Sequence, residues 1–185
     1  MSVQPMGCEW LYTCVYLLGG REPATSLANF SFFLITVALL VYVCRRWLSS
    51  GAAFLLAAVY ASVPLMHMET GMLFIENLLV AFVFGAIIAW DRFRQNRQSA
   101  YLYIAAICLG GAMSTKVLAA FFVIAIAIFL LYDVFTSKAP PSWATIAIAI
   151  AFLLTSGSVP YLYAWWKVGN PVFPYMNSLT SKFQT

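Results

Sequence analysis

The sequence predicts an all-α protein, a polytopic transmembrane helix bundle of about six spans with an N-terminal interfacial helix. Three observations carry that expectation. Hydrophobic residues make up 63% of the 185-residue chain and charged residues 9%. A soluble domain is about half apolar and a quarter charged, so this chain has too little polar surface to cover a water-soluble globule, and lipid is the solvent that fits. The apolar residues fall in successive runs of roughly span length, separated by short polar turns. The turns also carry Lys and Arg unevenly. One transmembrane domain over 1–185 follows, with an interfacial segment at 5–20, the spans over 27–166 and an outer loop at 167–185.

Residues 5–20 read PMGCEWLYTCVYLLGG. At about 1.5 Å per residue this stretch is short for a span, and Trp10, Tyr12 and Tyr16 suit a helix lying at the membrane interface. A span trimmed at its start is the competing reading. The first clear span covers 27–48, closed by Arg45 and Arg46 and followed by a Leu48-Ser-Ser-Gly51 turn. The second covers 51–67 and ends at Pro64 and the polar cluster His67-Met-Glu69-Thr70. The third covers 71–90 and runs into the basic loop DRFRQNRQ at 91–98. Residues 101–135 are too long for one straight span and break near Ser114-Thr115-Lys116, which gives spans at 100–114 and 117–135. After Ser137-Lys-Ala-Pro-Pro141 the last span covers 142–166, ending in an aromatic belt of Tyr161, Tyr163, Trp165 and Trp166. Ala106 and Gly110 form a small-xxx-small pair that permits close helix contact.

Charge placement supports the count. Arg45, Arg46, Arg92, Arg94, Arg97 and Lys138, six of the ten basic residues, fall on one side if the turns near 45, 91 and 136 share it. That side is then cytoplasmic. Segments 1–25, 67–71, 114–116 and 167–185 face outward. A single span over 101–135 would flip the last turn and weaken the pattern.

Several classes are disfavoured. The basic residues form no single polar face, so nucleic acid is not expected as a partner. Cys8, Cys14, Cys44 and Cys108 make no CxxC pair and there is one histidine, which argues against zinc. Cys44 and Cys108 sit in apolar runs as small hydrophobes. A Cys8–Cys14 disulfide requires that segment to face an oxidising compartment. The N-terminus lacks the basic and apolar regions of a secretory signal.

Ionisable groups within membrane segments are costly, so each is a candidate site. Glu76 lies within the expected third span, beside Asn77 and seven residues after Glu69, a spacing that places both carboxylates on one helix face. They suit an acidic site that holds a metal ion or a sugar hydroxyl, while a structural carboxylate bonded to a neighbouring helix is the plainer alternative. Lys116, at the outer break, suits a lipid phosphate; a lysine snorkelling from a span end is equally compatible. His67 reads as an interfacial polar residue. Asn29-Phe-Ser31 matches a glycosylation sequon, but it abuts a span and reads as chance. In the tail GNPVFPYMNSL, Pro171 and Pro174 stiffen an aromatic loop with Trp165, Trp166, Phe173 and Tyr175. Such a loop suits covering a glycolipid site, with Asn170 and Tyr175 as candidate contacts. It also suits a simple connector.

Taken in order, these features resemble the polytopic C-type glycosyltransferases that use polyprenyl-phosphate-linked sugars, the group of protein mannosyltransferases and bacterial lipid glycosyltransferases. The match rests on Pro5-Met-Gly with Leu18-Gly-Gly20, on Gly110-Gly-Ala-Met-Ser-Thr-Lys116, and on Gly169-Asn-Pro-Val-Phe-Pro174 with Asn177, with Val63-Pro64 and Glu76 in the expected order. The resemblance implies transfer of a sugar from a polyprenyl-phosphate donor to an acceptor on the outer membrane face, usually with inversion, in a multi-pass protein of the bacterial inner membrane. It also implies an aspartate in a first outer loop, which would precede residue 1. The chain is therefore expected to be an internal piece of the enzyme, with no catalytic residue of its own assigned. A divalent metal ion is the cofactor the full-length enzyme would call for; no metal ligand is assigned within 1–185. Substrate contacts are expected at Glu69, Glu76, Lys116, Asn170 and Tyr175. Two alternatives belong to other classes. A transporter would place polar groups at mid-membrane, whereas here they sit at outer ends. A non-catalytic scaffold or subunit gives no reason for the GNPVFP loop.

Overall fold

The computed structural model describes residues 7–19, 22–71, 75–136 and 140–172, and among these all regular structure is helical. Helix α1 is Gly7–Gly19 and α2 is Glu22–Cys44. Then come α3 (Ser50–Ser62), α4 (Pro64–Gly71), α5 (Glu76–Asn96) and α6 (Ser99–Thr115). A 3₁₀ turn at Val117–Ala119 leads into α7 (Ala120–Thr136), followed by α8 (Trp143–Gly157) and α9 (Val159–Val168).

The helices stop and start for local reasons. Ser49 and Ser142 cap α3 and α8, their hydroxyls accepting from the amides of Ala52 and Thr145. Val63, held extended ahead of Pro64 as a residue before proline must be, separates α3 from α4. Arg97 closes α5 in the left-handed region at φ 55°, and Gly169 closes α9 at φ 69°.

Three expected spans differ from the helices found. The apolar run 51–67 is two short helices broken at Val63-Pro64. The run 142–166 is bent by 54° between α8 and α9, where Pro160 enters the first turn of α9 and its missing amide ends the α8 ladder. The third span starts at Glu76 rather than 71, because α4 carries on to Gly71. The break at Ser114-Thr115-Lys116 is present, between α6 and the 3₁₀ turn.

Among the described residues one helix, Pro23–Cys44, is by itself long and apolar enough to cross a membrane, and α8 with α9 passes the same test if the bent pair is one span. The others fall short for visible reasons. Helix α3 has 13 residues, about 20 Å of rise against a hydrocarbon core near 30 Å, and α6 has 17. Helix α5 has 21 residues but carries Glu76 at one end and Asp91, Arg92 and Arg94 at the other.

The bundle is ordered α3, α2, α5, α6, α8, each packed on the next, and α6 also meets α1, α7 and α9. Close approach of α6 and α8 depends on Gly110 and Gly157. A Cβ on Gly110 would overlap Ser156 Oγ and stand 2.5 Å from the Leu153 carbonyl oxygen, so only glycine fits. The Ala106–Gly110 pair thus faces α8, as its spacing suggests. Around this contact Phe93, Leu102, Ala106 and Ala149 form one apolar cluster.

Polar groups collect at the two ends. At one end Arg46 pairs with Asp91, Arg92 donates to the Tyr42 hydroxyl, and Arg94 pairs with Asp133 at 3.0 Å. This joins the turn after α2, the end of α5 and the end of α7. At the other end lie α1, α4, the 3₁₀ turn and α9. There Gly7 abuts Ser114, Trp10 meets Tyr163 edge-on at 5.9 Å, and the Tyr161 hydroxyl donates to the Met113 carbonyl at 2.8 Å.

Candidate functional site

The sequence candidates converge where α5 begins and α6 ends. Since α5 and α6 are antiparallel neighbours, the first residue of one lies beside the residue after the other. Glu76 opens α5 and Lys116 follows α6 in an extended conformation at φ −154°. The Lys116 ammonium donates to Glu76 Oε1 at 2.8 Å. Each charge also sits at the helix end that favours it, the carboxylate at an N-terminus and the ammonium at a C-terminus. The pair is partly open, with the Lys116 side chain 41% and the Glu76 side chain 32% exposed. Glu76 Oε2 is buried and accepts no hydrogen bond among the described residues. The arrangement offers a partly exposed cation with unused donors beside a carboxylate whose second oxygen is enclosed.

This geometry revises one expectation. Glu69 and Glu76 do not share a helix face, because the helix carrying Glu69 ends at Gly71 and a separate helix begins at Glu76. A seven-residue spacing is two turns only if the helix is continuous. The Glu69 side chain and Tyr175 lie outside the described residues. Asn170 is buried, and its Oδ1 accepts the amide of Val172 at 3.0 Å, closing a tight turn after α9. His67 is exposed on α4. No cluster of three metal-ligating side chains occurs among the described residues.

Beneath the ion pair lies a buried polar network. The Tyr12 hydroxyl donates to Asn29 Oδ1 at 3.0 Å, and Asn77 Nδ2 donates to the same oxygen at 3.3 Å and to Thr70 Oγ1 at 3.0 Å. Asn29 Nδ2 donates to the Thr70 carbonyl at 2.7 Å, and Thr70 Oγ1 donates to Met66 O. Four helices, α1, α2, α4 and α5, are thereby tied next to Glu76. Asn29 is fully buried and Asn77 nearly so. Buried amides of this kind must be bonded to be tolerated, and the bonds fix where α5 starts. The sequence reading set Asn29 aside as a chance sequon and noted Asn77 only as a neighbour. The signal that could have found both is an asparagine set within a largely apolar run.

Cys8 lies fully buried beside this network. Burial, with the carboxylates of Glu9 and Glu76 adding to it, pushes its thiol up to about 12 against the pull of a hydrogen bond with Tyr12. Burial likewise raises the Tyr12 phenol. Cys14 is exposed, and both cysteines are free.

The sequence profile of the dolichyl-phosphate-mannose-protein mannosyltransferase family matches residues 3–161. No curated protein and no solved structure gave a significant match.

Proposed function

The chain belongs to the dolichyl-phosphate-mannose-protein mannosyltransferase family of membrane glycosyltransferases, and from that premise we propose that it helps transfer a sugar from a polyprenyl-phosphate carrier to an acceptor at the outer membrane face. The observation that carries the proposal to particular residues is the Lys116–Glu76 pair. When the bond between the sugar and the carrier phosphate breaks, the phosphate leaves with the bonding electrons and gains negative charge. A fixed ammonium beside it stabilises that charge most where it develops. Glu76 holds Lys116 in place through Oε1, and its partly exposed side chain is proposed to meet a sugar hydroxyl. Asn170, in the turn after α9, Glu69 on α4, and Tyr175 are proposed as further contacts to the glycolipid. No residue of this chain is assigned the role of proton acceptor.

In the same reading the chain forms one membrane domain of six crossings: α2; α3 with α4; α5; α6; the 3₁₀ turn with α7; and α8 with α9. Short and broken helices suit a bundle in which neighbours and local thinning accommodate the mismatch. The gathering of Arg46, Arg92 and Arg94 at one end supports a cytoplasmic assignment there. The Lys116 end then faces outward, and α1 lies along the interface. A bacterial inner membrane is the proposed setting.

The test uses the chain in proteoliposomes with a photoactivatable polyprenyl-phosphate sugar. Wild-type protein should be labelled in competition with unlabelled donor. Lys116→Gln should lower labelling about ten-fold, the worth of a charge-assisted hydrogen bond. Glu76→Gln should lower it less, because the ammonium remains. Unchanged labelling in both variants would remove the site.

A further inference from the structure

At the end of the bundle away from Lys116, a cavity of about 270 Å³ opens between α6, α7 and α8. Phe93, Leu102, Val123, Leu130, Trp143 and Ala149 are among its lining residues, and the lining is almost wholly hydrocarbon. Helix α7 packs on α6 only lightly, so the cavity reaches the flank of the bundle, where Leu131, Ile150 and Trp143 are exposed. Nothing inside could orient a polar ligand.

The rim is different. The Arg97 guanidinium lies over the ring of Phe93, with its carbon 5.6 Å from the ring centroid, and Phe93 forms part of the cavity wall. Arg97 is exposed and held by its left-handed position at the end of α5. The neighbouring basic residues are already engaged: Arg94 with Asp133 and over the Trp90 ring, Arg92 with Tyr42. The Arg97 side chain makes no hydrogen bond or ion pair among the described residues, so its charge is available at the mouth of a hydrocarbon cavity.

We propose that this cavity seats one acyl chain of an anionic phospholipid whose phosphate is held by Arg97. The two parts of the site match the two parts of such a lipid. An aliphatic chain fills the apolar wall without leaving a polar group unpaired. A phosphate meets an exposed guanidinium, which suits its geometry. Basic pockets between membrane helices are known to take anionic headgroups in this way. The site lies at the opposite end of α6 from the Lys116–Glu76 pair and is separate from the proposed donor site. It would fasten the loosely packed α7 to α6 and α8.

The experiment compares phospholipids with brominated chains, which quench tryptophan on contact. The full chain is reconstituted in phosphatidylcholine vesicles with equal mole fractions of brominated phosphatidylcholine or brominated phosphatidylglycerol. The Trp143 signal is the difference between wild type and Trp143→Phe. A preference for the anionic lipid of about five-fold is expected, the value of one basic residue at a membrane surface. Arg97→Gln, a change at an exposed side chain, should abolish the preference. Ala127→Phe, which fills the cavity from α7, should lower quenching by the anionic lipid to the level of the neutral one. Equal quenching by both lipids in the wild type, or a preference that survives Arg97→Gln, overturns the proposal. So does absence of quenching by either lipid, which would mean that protein, such as a second copy, covers the cavity.

Discussion

The Lys116 ammonium lies 2.8 Å from Glu76 Oε1 across the junction of α5 and α6, although forty residues separate the two in sequence. Two residues read separately, one as a phosphate ligand and one as an acidic site, are halves of one feature. This makes their roles separable by experiment, since a structural pair tolerates reversal and a phosphate site does not. In the double variant Glu76→Lys with Lys116→Glu the pair is kept and the charges exchanged. Thermal stability of that variant should stay close to wild type, since a partly exposed pair contributes about 1 kcal/mol or less. Labelling by the polyprenyl-phosphate probe should fall as far as in Lys116→Gln. Full labelling of the reversed pair would assign Lys116 a structural role only.

The contact of Gly110 with α8 gives a sharper stability effect. Gly110→Ala places a methyl group against the Leu153 backbone as well as the Ser156 side chain. A side chain can rotate away, but the helix backbone must move, so α6 and α8 should separate at a cost of about 1–3 kcal/mol. A lowered midpoint in detergent-solubilised protein would show it. Adding Ser156→Ala should not restore the loss. Restoration would mean that the hydroxyl alone sets the limit.

Asn29 anchors Tyr12, Thr70 and Asn77. Asn29→Ala leaves a buried hydroxyl, carbonyl and amide short of partners and should cost about 1–3 kcal/mol. Because its amide is consumed in these bonds, Asn29 should stay unmodified in a glycosylation assay despite its sequon. Addition of a glycan at this position would contradict the buried network.

What the sequence made legible, and what it did not, follows the range of each signal. Apolar runs and the break at Lys116 are local, and the helices appear there. The consequence of Gly71 was missed because the spacing from Glu69 to Glu76 suggests one helix, and only the observed helix end shows otherwise. The bend at Ser158 was masked by continuous hydrophobicity across 142–166, with Pro160 as the available warning. The Asn29–Asn77 bond joins residues 48 apart, a distance at which one sequence carries no pairing signal. Glu76 and Lys116 were therefore read as two separate candidates, and the structure joins them as one ion pair.

The two N-terminal cysteines should differ in reactivity. Burial holds the Cys8 thiol protonated, with its ionisation raised to about 12. The shift is upward, so the thiol remains the dominant form throughout the pH range below that value, and thiolate appears only as pH rises through it. At pH 8 a maleimide should label exposed Cys14 and leave Cys8 unmodified until the protein is denatured. Both residues lie on α1 as free thiols, so non-reducing mass analysis should find no bond between them. Equal labelling of both cysteines in the native state would show that α1 does not rest against α2 and α5.

The bond from Tyr161 to the Met113 carbonyl has a mechanical consequence. It clamps α9 to α6 within one turn of Lys116, on the far side of a 54° bend. The aromatic segment of α9, with Tyr163 edge-on to Trp166 and Lys167 over both rings, cannot shift without carrying the Lys116 turn along. Under the proposed function, a belt that finds its level at the lipid headgroups would act as a float for the cation, setting the height at which a phosphate could be met.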